Sequence, residues 1–258
     1  MELRLTWKDT ASRSREDAMI TEHKIHFASE QDKQITGLLT FASKDETRSE
    51  LCGILLEVRP KATTVRAVAT SGSALGTLEL LTPVGTEIEV SHNLFIPWTV
   101  FGPSVRKAAT ALKALFKGYY GCPIVLTYEY DNEKQWPTKY TLCNTANATQ
   151  TSWESELHTF PDWRRVFPNL DKDCRPTEAI GYNLQLMAPY FTVRYGNKSS
   201  RGGTFVPSVF TDALSTTVFL DTEDPTFLGL IMPLRMPMDA DEMREAVAAK
   251  ISTLQSSQ

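Results

Sequence analysis

Three times along its 258 residues the chain repeats one order of patterns: an apolar helical stripe, then two or three runs with strand-like alternation. The copies recur at roughly 65–75 residues, the signature of an internal structural repeat. Such a chain is built from small helix-plus-sheet modules, and an open row of them exposes strand edges that a closed assembly would satisfy. The expected fold class is therefore α+β, with helices segregated on antiparallel sheets.

In the first copy a helix is expected from Ser29, with Asp32 three residues on and Ile35, Leu38, Leu39 and Ala42 forming its stripe. Strands follow at 51–59, 64–70 and 75–81. Val65, Ala67 and Ala69 alternate against Arg66, Val68 and Thr70, as expected of a sheet with one wetter face. The second copy opens on Leu94, Phe95 and Ile96. It continues in a helix over 104–117 that Gly118 closes, and in strands at 124–130 and 139–144. On that helix Val105, Ala108, Ala109, Leu112, Leu115 and Phe116 share one face. Arg106, Lys107, Lys113 and Lys117 share the other, and the helix holds no acidic residue. The segment 160–168, Phe-Pro-Asp-Trp-Arg-Arg-Val-Phe-Pro, reads as a rigid connector bounded by prolines. The third copy opens at Ile180 with Asn183 as a cap and Pro189 inside its stripe. Strands are expected at 204–210, 216–222 and 226–234. Pro233 ends ladder pairing because it has no N–H to donate, so Leu228–Met236 leaves its sheet there. A final amphipathic helix is expected from Asp241, with Met243, Val247, Ile251 and Leu254 on one side.

The boundaries are an N-terminal segment 1–19, a two-module domain 20–168, a single module 169–237 and a helical tail 238–258. Composition, 41% hydrophobic and 22% charged, is that of a soluble globular protein, and no apolar run is long enough to cross a bilayer. The N-terminus has no apolar core of a secretory signal. The four cysteines are too widely spaced for a zinc motif or a disulfide framework, so free thiols in a cytoplasmic setting are expected. The sequons at Asn147 and Asn197 then carry little weight. A net charge of −4 argues against a chain that simply coats nucleic acid, though not against a local basic surface. No motif for catalysis, cofactor or metal is present, and His23, His26, His92 and His158 read as surface or capping residues.

Four segments together resemble the bacterial DNA polymerase III β subunit, the ring-shaped sliding clamp. Residues 160–168 resemble the Phe-Pro-Asp-Tyr-Arg-Arg-Val-Leu-Pro that ends its middle domain. Residues 64–75 resemble its Val-Ala-Thr-Asp-Gly-His-Arg-Leu strand and turn. Ile180–Asn183 resembles an Ile-Gly-Phe-Asn, and Ile231–Met236 a C-terminal Val-Met-Pro-Met-Arg-Leu. Ser73 and Ala74 stand where the family carries His-Arg, and three half-modules stand where it carries six.

The resemblance implies a non-enzymatic processivity factor without a cofactor, whose helices line a ring around double-stranded DNA. Its partners would be the polymerase, other clamp-binding proteins and, where one is used, a clamp loader. The implied peptide pocket comprises Leu51, Thr70, Gly72, Leu75, Pro161, Val166, Leu230, Met232, Pro233, Leu234 and Met236. The implied DNA-facing residues are Arg106, Lys107, Lys113 and Lys117, with Lys33, Arg194, Lys198 and Arg201. Family rings hold twelve inner helices, so three modules per chain imply a homotetramer, with a trimer as the other solution. So short a clamp would suit a phage or plasmid replicon. The alternative is a β-rich viral assembly protein that does not encircle DNA.

Overall fold

The computed structural model describes residues 20–28, 31–86, 88–116, 124–146, 148–156, 159–167, 182–183, 185–187, 189–190, 205–209, 216–221 and 226–233, with isolated positions from 242 to 249. At 32, 33, 205–209 and 221 only the backbone is described. The strands are β1 (Ile20–Phe27), β2 (Gly53–Val58), β3 (Thr64–Thr70), β4 (Ala74–Leu81), β5 (His92–Pro97), β6 (Ile124–Asp131), β7 (Trp136–Asn144), β8 (Thr149–Glu154), β9 (Phe205–Val209), β10 (Thr217–Asp221) and β11 (Leu228–Ile231). The helices are α1 (Asp32–Leu39) and α2 (Val105–Phe116).

Two antiparallel sheets result, in the orders β1-β6-β7-β8 and β5-β2-β3-β4-β11-β10-β9. The first two modules exchange their opening strands. The strand before α1 pairs with β6, and the strand before α2 pairs with β2. Neither module therefore completes its sheet alone, and the two fold as one unit. The helices lie side by side over a single core that takes Leu38 and Leu39 from α1, and Ala108 and Leu112 from α2. Alternate residues of both sheets complete it. On α2 the apolar stripe is buried apart from the half-buried Ala109, while Arg106, Lys107 and Lys113 are exposed, as the helical period requires.

The third module extends the larger sheet. β11 runs antiparallel to β4, Leu230 opposite Leu75, and the Met232 amide donates to the Ser73 carbonyl at 3.0 Å. Gly229 makes this join possible. The Tyr190 ring, beside the helical residues 185–187, packs against it, and a Cβ there would overlap the ring. Asn183 caps that turn as expected, its Oδ1 accepting from the Gln185 amide at 2.9 Å.

Several expectations are corrected. Residues Glu46–Leu51 form a 3-10 turn before β2, so the strand starts two residues later than 51. Two strands, β1 and β8, join the expected set. Gln31 is the N-cap of α1 and makes no side-chain cap bond, and Ser29 lies outside the described residues. The face of β3 expected to be wetter is covered: Val68 and Thr70 are buried. Residues 160–167 fold back over it, and Phe160, Trp163 and Phe167 pack with Leu55, Val68, Leu75, Val218 and Leu230 in a second, smaller apolar cluster. His92 is buried too. Its Nδ1 is 2.8 Å from the Tyr128 hydroxyl and its ring stacks on Tyr130 at 3.8 Å, with His23 edge-on at 5.0 Å. The exchange of β1 and β5 creates that cluster.

Candidate functional site

The connector is held by one carboxylate. Glu57, on the outer face of β2, accepts from the Trp163 indole Nε1 at 2.9 Å and from Arg164 Nη1 and Nη2 at 2.7 and 2.6 Å. Arg164 also lies 4.3 Å over the Trp163 ring. Burial works to raise the Glu57 pKa. The hydrogen bonds from Arg164 and Trp163 and the charges of Arg164 and Arg66 outweigh it, and the net shift is downward. A cation on the second connector arginine is engaged more loosely, Arg165 pairing with Asp162 at 3.0 Å on the surface.

Fixed this way, the connector forms one wall of a cavity of about 230 Å³ at the β4–β11 join. Leu51, Thr70, Gly72, Leu75, Pro161, Val166, Leu230 and Met232 line it, together with Arg48, Ser73, Ala74, Asp162, Trp163 and Thr216. Residues from positions 51, 70–75, 161–166 and 230–232 thus meet around one space. Pro233 follows the cavity without lining it, and Leu234 and Met236 lie outside the described residues.

The local chemistry explains the shape. The Thr70 hydroxyl donates to the Ala74 carbonyl and accepts from the Gly72 amide, closing the β3–β4 turn. Gly72 has φ +89, which glycine adopts without strain, and a Cβ there would meet the Arg48 guanidinium. Leu51, Leu75 and Leu230 are buried, whereas Val166 and Met232 are 41% and 49% exposed. The cavity therefore has an apolar floor and an accessible, adaptable rim. Trp163 and Arg48 are members that the sequence reading left out. Trp163 was visible only as part of the connector, and Arg48 lies in a stretch with no strand pattern.

Arg106, Lys107 and Lys113 stand exposed on α2 and take part in no ion pair among the described residues. Arg106 and Lys113 face a larger groove toward the third module, and Lys107 does not line it. Lys117, Arg194, Lys198, Arg201 and the side chain of Lys33 lie outside the described residues. No group of three metal-ligating side chains occurs among the described residues. No described helix is long and apolar enough to cross a membrane.

No protein-family model matches the chain, and no curated protein matches it by sequence. Solved structures do. Caulobacter crescentus pol III beta superposes with a TM-score of 0.56 at 18% identity, over 84% of this chain and 67% of that one. The DNA polymerase III subunit beta of Pseudomonas aeruginosa gives 0.56 at 15% identity, over 83% and 66%. The Bartonella birtlesii sliding clamp, solved bound to griselimycin, gives 0.55 at 18%, over 83% and 66%. The chain thus has the fold of the bacterial β sliding clamps and spans about two thirds of their length.

Proposed function

We propose that this protein is a DNA sliding clamp, a non-enzymatic processivity factor that encircles duplex DNA and tethers a polymerase and other partners through the cavity at the β4–β11 join. The observation that carries the reading is the convergence of four distant segments on that one cavity, with the exposed Met232 and Val166 at its rim. An apolar floor beside an exposed methionine suits a short linear motif, each buried anchor side chain contributing about 1.5–3 kcal/mol. The acid-free outer face of α2 suits the second half of the function. A protein that surrounds DNA needs only weak attraction to phosphates, which Arg106, Lys107 and Lys113 supply without reading sequence.

The sheet edges support closure into a ring. β4, the last strand of the first module, is paired by β11, while β8, its counterpart in the second module, is an edge strand among the described residues. A neighbouring copy paired along β8 would remove that edge. With three modules per chain, a homotetramer supplies the twelve inner helices of the family ring, and a trimer is the runner-up.

The deciding experiment is retention on nicked circular DNA in high salt, followed by linearisation. A clamp stays on the circle and slides off the linear form, whereas electrostatic binding fails on both. Mass photometry counts the subunits, and a monomer at micromolar concentration overturns the ring. Met232→Ala with Leu234→Ala is expected to abolish polymerase-peptide binding and leave the assembly intact. Unchanged peptide affinity would remove the cavity from the mechanism.

A further inference from the structure

The first two modules form a unit that ends on the same kind of strand at both sides. β4 closes the first module and β8 the second, and their hairpins match: Thr70 stands opposite Leu75 across one turn, Asn144 opposite Thr149 across the other. At the β4 end the unit is already joined. β11, the last strand of the third module, runs antiparallel to β4, with Ala74 opposite Ile231 and Leu75 opposite Leu230. The join is thus last strand against last strand. It keeps α1 and the helical residues 185–187 against one core, on the side away from the connector.

β8 is open among the described residues, and it is unguarded. The other three described edges carry the usual deterrents to pairing. β1 presents Glu22 and Lys24, β5 ends in Pro97 and β9 contains Pro207. β8 reads Thr-Gln-Thr-Ser-Trp-Glu, with no proline and a single charge at its end. Gln150 and Ser152 are exposed on the face away from Trp153. Trp153 is buried against Tyr140, ring centroids 5.1 Å apart, and its Nε1 meets no hydrogen-bond partner among the described residues. A strand laid along β8 brings fresh carbonyl and hydroxyl acceptors beside that donor.

We propose that the strand that covers β8 is β8 of a second copy, so that the ring closes through two-fold contacts between like ends and not head to tail. This rests on the ring reading above and specifies its geometry. A last strand takes a last strand, and β4 and β11 already occupy each other within each chain. β8 is the last strand that a second copy still has to offer, and with its charge at the strand end it can lie antiparallel to itself without setting like charges opposite each other. The other chain end, at β9, is the first strand of its module and does not match β8. In the first two modules the outer neighbour of that first strand is exchanged reciprocally, β5 beside β2 and β1 beside β6. The β9 end therefore calls for a companion of its own kind, another third module. A chain made only of two-module units would present a last strand at both ends and could close head to tail; the odd third module removes that choice. Chains meeting β8 to β8 and third module to third module alternate in direction, and a ring of them holds an even number, which selects the tetramer over the trimer.

The test places the photo-crosslinking residue p-benzoylphenylalanine in place of Gln150 in the full chain, and mixes light with nitrogen-15 chains before irradiation. Peptide mapping by mass spectrometry is expected to find hybrid products, one half light and one half heavy, that join the 149–156 regions of two chains. Hybrids that join position 150 to residues 205–209 establish head-to-tail closure and overturn the proposal, as does the absence of any hybrid from an assembled sample. Mass photometry of the unmodified chain should show tetramers, and dimers on dilution; a stable trimer overturns the proposal and leaves a ring. A charge pair checks the contact without the bulky probe. Gln150→Lys and Gln150→Glu are each expected to weaken association about threefold, through like charges brought together across the two-fold, and an equimolar mixture of the two to restore it. A mixture no stronger than either variant alone overturns the two-fold contact. A chain that stays monomeric at micromolar concentration takes down the ring reading itself, an outcome distinct from a trimer or a head-to-tail cross-link.

Discussion

Replacing Glu57 tests whether the connector is held as the geometry says. The carboxylate makes three hydrogen bonds, one to the buried Trp163 indole and two to Arg164, whose side chain is 50% exposed. Glu57→Ala leaves the indole N–H buried without a partner, which costs about 1–3 kcal/mol. The Arg164 pair adds little more, about 0–1 kcal/mol, because solvent screens its open side. A total of about 1–4 kcal/mol is a large share of a stability of about 5–15 kcal/mol. Glu57→Gln keeps an acceptor for the indole and gives up the charge, so it is expected to cost about 1 kcal/mol. Urea unfolding followed by circular dichroism measures both. Peptide binding should fall further than stability does, since Pro161, Trp163 and Val166 form one wall of the cavity. Glu57 is held below the 4.5 of an ordinary glutamate, so its contribution is complete above that pH and is lost as pH falls through the lowered folded value. The reasoning fails if alanine costs less than about 1 kcal/mol, or no more than glutamine does, because the buried indole would then not depend on this carboxylate.

Burial, with the nearby charge of His23, lowers the His92 pKa to about 4 from 6.5. The folded state therefore excludes its proton, and the stability it contributes is present above pH 6.5 and lost as pH falls toward 4. His92→Phe should flatten the dependence of the urea midpoint across that window, and an unchanged slope would relocate it to other groups. Gly229→Ala forces Tyr190 off β11, an overpacking cost of about 1–3 kcal/mol, and should expose the third module to limited proteolysis before the first two. A docking peptide present at a hundred times its dissociation constant should stabilise the intact chain by about 2.7 kcal/mol, seen as a raised melting temperature. No shift in the presence of measured binding would mean that the unfolded chain binds equally well.

The period of the apolar pattern made the helices and most strands legible. The α2 stripe and its cationic face, the β3 alternation and the break at Pro233 were all local signals. What stayed hidden depends on which strand pairs with which. β1 carries the string Thr-Glu-His-Lys, too polar to announce a strand, and it is one because β6 and the exchanged topology give it a partner. His92 shows the same limit. Nothing beside it in the chain signals burial, but β5 carries it against Tyr128 and Tyr130 of the other sheet. Val68 read as solvent-facing because its cover, the 160–167 connector, lies some ninety residues downstream, and no residue near Val68 encodes that contact. The cavity members came from motif resemblance, since four scattered segments have no periodicity in common, and Arg48 shows how a contributor outside those motifs escapes.

The position of the cavity follows from how the third module is attached. Had β11 paired elsewhere, the outer face of β3 and β4 would present Val68 and Leu75 as an uncovered apolar strip. The chain covers most of that strip by laying the connector across it and bringing β11 alongside. Two features prevent complete closure. The β3–β4 turn projects at Gly72, with a positive φ that carries no side chain outward, and β11 ends at Ile231 because Pro233 cannot continue the ladder. The gap between a side-chain-free turn and a strand that stops short is the cavity. It is a consequence of joining modules edge to edge through a long connector, and its lining is drawn from all three sequence regions that meet there. A peptide bound in it would touch the first module, the connector and the third module at once, so occupancy and the integrity of the join are one equilibrium.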